Sequence, residues 1–152
     1  MNDVKYTGAW IICYIDNRNG VIEDREKDFL FLILENKSGK YDYPKGGIDY
    51  NEDILKCAKR EANEEANIKD SDIEEFIVDD LDKAFISSGC LVLFLAKLKN
   101  YSIGNIKINF NPVINDYEHE NFHFLTKEQA ENNMLFYLNN SLDWAYNIIK
   151  NQ

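Results

Sequence analysis

Proline is nearly absent from this 152-residue chain, with two, and glycine is sparse, with seven. Average proteins carry roughly 5% proline and 7% glycine, so linkers and low-complexity tracts built on these residues are excluded. No internal repeat divides the chain either, and residues 1–152 read as a single domain large enough for a hydrophobic core. Positive charge is also short: 17 lysines and arginines face 27 acidic residues, giving a net charge of −10. That balance excludes the basic face of a broad nucleic-acid or anionic-membrane surface. It leaves room for a small anionic substrate held through a bound cation. Cysteine is too scarce for a disulfide framework. Cys13, Cys57 and Cys90 are odd in number and in no metal-type spacing, as expected of reduced thiols that fill space in a cytosol-like compartment. The longest apolar run, "CLVLFLA", is far too short to span a bilayer. The opening "MNDVKYTGAW" has neither the basic start nor the apolar stretch of a signal peptide, so a cytoplasmic location is expected.

What the chain does contain is an irregular alternation of strands and helices. Residues 5–15 and the continuous apolar run "FLFLIL" read as strands, the second of them buried. "ENKSGK" is a turn, and "YDYPKGGIDYN" a loop with one proline and two glycines among aromatics. A helix is predicted over residues 52–66, capped by Asn51 and ended by Asn67 in a left-handed conformation. "AFISSGCLVLFLAKL" and "NFHFL" supply further strands. Thr126 and Gln129 form a capping-box pair, and "NSLDWAYNIIK" closes the chain as an amphipathic helix. The segment 69–88 fits no recognisable pattern. The predicted class is α/β, a mixed sheet with helices packed on its faces.

The stretch "REANEEANI", residues 60–68, sets a physical problem. Glu61, Glu64 and Glu65 repel one another at i, i+3 and i+4 and sit where the helix dipole is negative. On a helical wheel Ile54, Leu55, Ala58, Ala62 and Ala66 form the core face, and Lys56, Lys59, Arg60 and Asn63 the solvated one. Glu61 and Glu65 then fall at the border of the apolar face, with Glu64 beside Glu61. An ordinary acidic cluster is a solvated surface, but here the solvated surface is already occupied. Carboxylates at the edge of a core need a cation among them, and a hard divalent ion such as Mg²⁺, with Mn²⁺ as the alternative, removes both the repulsion and the dipole penalty.

Residues 46–68 resemble the Nudix box, G-x5-E-x7-R-E-U-x-E-E-x-G-U, where U is aliphatic. Gly46, Glu52, Arg60, Glu61, Ala62, Glu64, Glu65 and Ile68 fill its positions, and Asn67 stands in place of the family glycine. The resemblance implies a Nudix fold, an α/β/α sandwich, and Mg²⁺-dependent hydrolysis of a nucleoside diphosphate linked to another group. By position it makes Glu61, Glu64 and Glu65 metal ligands, one of them also a candidate to activate water. Glu52 and Arg60 become the supporting pair, and the backbone carbonyl of Lys45 an added ligand.

"YDYPKGGIDYNED" and "EHENFHFLTKEQA" are further similar to segments of asymmetric dinucleoside tetraphosphate hydrolases. This likeness implies a catalytic and metal-binding role for Glu118, with Glu120 as its competitor. It also implies phosphate contacts from Lys45 and His119 and backbone approach at Gly46 and Gly47. Tyr41 and Tyr43 either stack on a base or pack the loop; Phe122, with Phe124, is either core or an aromatic wall; His123 is structural. A dinucleoside polyphosphate such as diadenosine tetraphosphate is the expected substrate. RNA 5′-end pyrophosphohydrolysis or mRNA decapping, diphosphoinositol polyphosphate hydrolysis, and a non-catalytic nucleotide-binding module are the alternatives. Neither the oligomeric state nor the number of metal ions is written in the sequence.

Overall fold

The computed structural model describes residues 6–43, 47–109, 116 and 119–152. β1 (Gly8–Asp16) and β2 (Phe29–Asn36) are buried almost end to end, as continuous apolar runs require. β3 (Tyr41–Asp42) follows a turn in which Gly39 takes a φ of 82°, closed by the Asn36 side chain accepting from Ser38 and Lys40. Next come α1 (Ile54–Ala66), β4 (Ile73–Val78), β5 (Phe85–Ser87) and β6 (Leu91–Leu98). β7 (His119–Leu125), α2 (Lys127–Glu131) and α3 (Ser141–Lys150) complete the order.

The seven strands form one mixed sheet. β1 runs parallel to β6 from Gly8↔Leu91 to Tyr14↔Lys97, and the other pairings between these strands are antiparallel. β1 and β2 share only three register pairs, Tyr14↔Phe31 to Asp16↔Phe29. Beyond them β2 pairs with β3 instead, while Gly8 at the start of β1 bridges to Gly47. The chain between β3 and α1 therefore joins the sheet where its two central strands part company.

Successive side chains of a strand point to opposite faces. α1 packs on β1, Ile11 and Ala62 lining one cavity between them, whereas Tyr14 packs edge-on against Phe29, which in turn meets Tyr146 of α3. Helices thus cover both faces, the α/β/α sandwich of the Nudix fold. The inner face of α1 is Cys57, Ala58, Ala62 and Ala66, small side chains that let the helix lie close on β1. Thr126 and Gln129 make the expected reciprocal capping box at α2.

Two local expectations are corrected. The helix begins at Ile54, not at residue 52, with Asp53 as the cap accepting from Leu55 and Lys56. Asn51 lies in the preceding turn with φ 58°, and Glu52 is drawn away to Arg60, so neither is available to the helix. "AFISSGCLVLFLAKL" is two strands rather than one stretch, because Ser88 and Gly89 both take positive φ and Cys90 N–H donates to the Ser87 carbonyl, reversing the chain.

Candidate active site

α1 stops where Asn67 adopts φ 61°, ψ 29°, its N–H bonding back to Ala62 and Asn63. Its last two turns carry the three glutamates. Glu61 and Glu65 are 4% and 6% exposed, and the Glu64 side chain is 53% exposed, so the border position read from the wheel holds for the first two.

Arg60 organises this end of the helix. Its Nε and Nη2 donate to Glu52 Oε2 and Oε1 at 2.8 and 3.0 Å, a bidentate pair across eight residues. Nη2 also donates to the Gly47 carbonyl at 2.8 Å, and Nη1 reaches Glu61 Oε1 at 2.9 Å and Glu64 Oε2 at 3.2 Å. One guanidinium therefore fixes the loop, its own helix and two of the clustered carboxylates. Arg60 bound this way holds Glu52 down at about 2, burial opposing.

Glu61 goes the other way. Burial pushes its carboxyl up to about 7, against the attraction of Arg60, and Glu64 and Glu65 add repulsion. The site is short of positive charge even with Arg60 in contact. An all-oxygen set of mutually repelling carboxylates, Glu61 and Glu65 buried beside the more exposed Glu64, fits a hard divalent cation. Among the described residues no three His, Cys, Asp or Glu side chains are gathered ready to hold a metal, and Arg60 already engages Glu61 and Glu64.

His119, at the start of β7 and 5% exposed, lies between two acids, Nδ1 at 3.8 Å from Glu65 Oε2 and Nε2 at 3.8 Å from Asp42 Oδ2. Burial works against its charge, but the flanking carboxylates outweigh it and raise its pKa to about 9. Asp42 in turn accepts from the Tyr137 hydroxyl at 3.2 Å. A polar chain thus runs Tyr137–Asp42–His119–Glu65. Sequence reasoning missed Asp42, a variable position of the "YDYPKGGIDYNED" stretch, and Tyr137, which lies in no motif; they reach the site through β3 and the turn before α3.

Glu52, Arg60, Glu61, Glu64, Glu65, Gly47 and His119 are therefore brought together. Tyr43 is not: it is 0% exposed, its hydroxyl 3.4 Å from Ser141 Oγ, so it packs the loop and cannot face a base. Tyr41 rests against the His123 ring at 5.6 Å, and His123 bonds Glu35 at 2.8 Å on the sheet, a structural role. Phe122 sits edge-on to Phe124, with ring centres 6.4 Å apart. Lys45, Gly46 and Glu118, and the side chain of Glu120, lie outside the described residues.

A fold of this topology carrying this helix defines a class. The family model for the NUDIX domain matches residues 14–144, and the chain belongs to that family. It is a hydrolase of phosphoric anhydride bonds. No curated protein matches the chain. Among solved structures it is similar to the C. elegans Ap4A hydrolase in a binary complex, with a TM-score of 0.68, 21% identity, and 95% and 97% of the two chains covered. A NUDIX hydrolase from Listeria monocytogenes gives a TM-score of 0.66 at 19% identity, covering 94% and 93%. The NUDIX domain of Shewanella oneidensis NrtR, complexed with ADP ribose, gives 0.62 at 12%, covering 97% and 90%. At these identities the likeness is one of fold. No helix among the described residues is long and apolar enough to cross a membrane.

Proposed function

We propose that the chain is a Mg²⁺-dependent pyrophosphohydrolase of nucleoside diphosphate-linked substrates, with a dinucleoside polyphosphate such as diadenosine tetraphosphate as its substrate and Mn²⁺ as an alternative ion. The observation that carries the reading is the cluster of Glu61, Glu64 and Glu65 at the end of α1, the first two of them tied to the loop through Arg60. The similarity of "YDYPKGGIDYNED" and "EHENFHFLTKEQA" to asymmetric tetraphosphate hydrolases supports the substrate, as does the likeness in fold to an Ap4A hydrolase.

Glu61, Glu64 and Glu65 would hold the ion, with Glu118 and the Lys45 carbonyl as further ligands implied by the resemblance. A divalent cation held there would supply neutralisation of phosphate oxygens and a lowered pKa for water. The protein's own part is to hold those ligands in place: Arg60 ties Gly47, Glu52 and the helix together, so that loop and carboxylates keep one geometry. His119, buried between Asp42 and Glu65 beside the cluster, is the candidate phosphate contact that the resemblance implies.

A product-resolved assay with Mg²⁺ tests this, offering diadenosine tetraphosphate, ADP-ribose, 5′-triphosphorylated RNA and a diphosphoinositol polyphosphate at equal concentration. The expected result is ATP and AMP from the first, faster than product from the rest. Preference for RNA or the inositol compound overturns the substrate but not the chemistry. Binding without any product overturns the chemistry.

A further inference from the structure

α1 ends with its glutamates near the negative pole of the helix dipole and no basic residue in its last turn. Its final carbonyls have no partners within the helix, as at every helix end. Asn67 N–H serves Ala62 and Asn63. Further donors come from a distant part of the chain. After β6 a 3₁₀ helix, Asn100–Asn105, leads back to this end of α1. Lys107 N–H then donates to the Ala66 carbonyl at 3.2 Å and Asn109 N–H to the Glu65 carbonyl at 3.3 Å. The Asn109 side chain adds a bond from Nδ2 to the Asn63 carbonyl at 2.9 Å. We propose that residues 105–109 are a strap that holds the glutamates of α1 in ligating positions, with Asn109 as its positioning residue. The inference rests on the proposed function and adds what keeps the ligands in place from outside the helix.

Asn109 bonds to the residues on either side of Glu64, and one of these, Glu65, belongs to the cluster itself. Three repelling carboxylates separate most easily by unwinding the last turn, which carries Glu64 and Glu65 away from Glu61. A helix end whose carbonyls are held by another segment cannot unwind without breaking those bonds. The tolerance is small, because a functional constellation must be kept within about 0.5 Å of its working geometry. Arg60 steadies Glu61 and Glu64 by their side chains, and the strap steadies Glu65 through its backbone.

The strap is itself anchored, and not by the glutamates. Asn105 Nδ2 donates to Asp72 Oδ1 at 3.0 Å, and the Asn105 carbonyl accepts from Asn67 Nδ2 at 2.9 Å. Asp72 is 3% exposed, its Oδ2 accepts from Lys69 N–H at 3.0 Å and its carbonyl from Lys99 N–H at 2.9 Å. Ser102 and Ile106 are buried on either side of Asn105. Burying a carboxylate is costly unless its oxygens are hydrogen-bonded. Those bonds tie together the chain leaving α1, the chain leaving β6 and the strap.

A strap that only stabilised the helix would, when cut, lower the melting temperature and leave metal affinity alone. A positioning strap moves metal affinity as well. Mn²⁺ binding to the full-length chain, without substrate and well below the melting temperature, is read from the loss of the free-ion EPR signal. Asn109→Leu keeps the volume and removes the side-chain donor, and Asn109→Ala removes it without adding an apolar surface. Thr126→Ala, which removes the α2 cap instead, is the comparison for plain destabilisation. Both Asn109 variants should bind Mn²⁺ about tenfold or more weakly than wild type. Thr126→Ala should melt lower with Mn²⁺ affinity unchanged. Wild-type affinity in either folded Asn109 variant overturns the proposal, as does an equal loss in Thr126→Ala. Mn²⁺ uptake that Glu65→Gln reduces and the Asn109 variants do not defeats this inference alone. Uptake that Glu65→Gln leaves undiminished defeats the proposed function and this inference with it.

Discussion

Arg60 on α1 donates to the backbone carbonyl of Gly47 at 2.8 Å, fastening the glutamate-bearing helix to the loop that precedes it. The same guanidinium grips Glu52 in two bonds and touches Glu61 and Glu64. Arginine is needed for this, since only a planar fork of donors can serve a carboxylate in bidentate fashion and a carbonyl together.

Arg60→Lys should accordingly cost both stability and rate. Losing the bidentate pair and the Gly47 bond is worth about 1–2 kcal/mol, a fall in Tm of roughly 2–8 °C for a chain of this size. Because the loop is then free to shift against the glutamates, kcat should drop by about tenfold or more. Calorimetry and steady-state kinetics on the one variant check both.

The Glu52–Arg60 pair also fixes a pH dependence. Glu52 is held at about 2 in the folded protein against an ordinary 4.5. A lowered carboxyl stabilises above its unfolded value and loses that contribution as pH falls toward the folded one. The stability gap between wild type and Glu52→Gln should therefore be full above pH 5 and shrink steadily from there toward pH 2. Denaturant titrations across this window measure it, and a gap constant with pH contradicts the pairing.

Asn67 stands at φ 61° where the family pattern has glycine, and its side chain donates to the Asn105 carbonyl at 2.9 Å. Asn67→Ala should destabilise by about 1 kcal/mol or more, because alanine is strained there. Asn67→Gly removes the strain but also the bond to Asn105, and should stay within about 1 kcal/mol of wild type. Paired chemical denaturation curves separate the two.

The glutamates at the helix border were legible because a wheel needs only spacing and residue type, and Glu61 and Glu65 are buried at that border. The cap was not, since Asn51 and Asp53 are equally good caps locally and the choice is made by Arg60 pulling Glu52 from a distance. β4 stayed hidden in the unplaced segment because its pairing with β6 shifts register between Ile73 and Glu75 and again between Phe76 and Val78, which destroys the alternation that marks a strand. The β5–β6 turn did leave a signal, a Ser-Gly pair between apolar runs. Whether Tyr43 stacks or packs depends on what covers it, and only the fold places Ser141 against its hydroxyl.

Mg²⁺ should stabilise the native chain, as anything binding the folded state alone must. At about ten times its Kd the ion contributes about 1.4 kcal/mol, a rise in Tm of roughly 3–6 °C. The increment should shrink in Glu61→Gln and Glu64→Gln. Scanning calorimetry over millimolar Mg²⁺ reads it directly, and a flat response counts against the carboxylate site.

If the carboxylates at the end of α1 carry metal-dependent hydrolysis, Glu65→Gln should abolish it with the least disturbance of shape. The measurement is kcat of this variant on diadenosine tetraphosphate with Mg²⁺, alongside its melting temperature without the ion. Turnover should fall by about a hundredfold or more with the fold retained. Turnover near that of the wild type in a folded Glu65→Gln chain would contradict it.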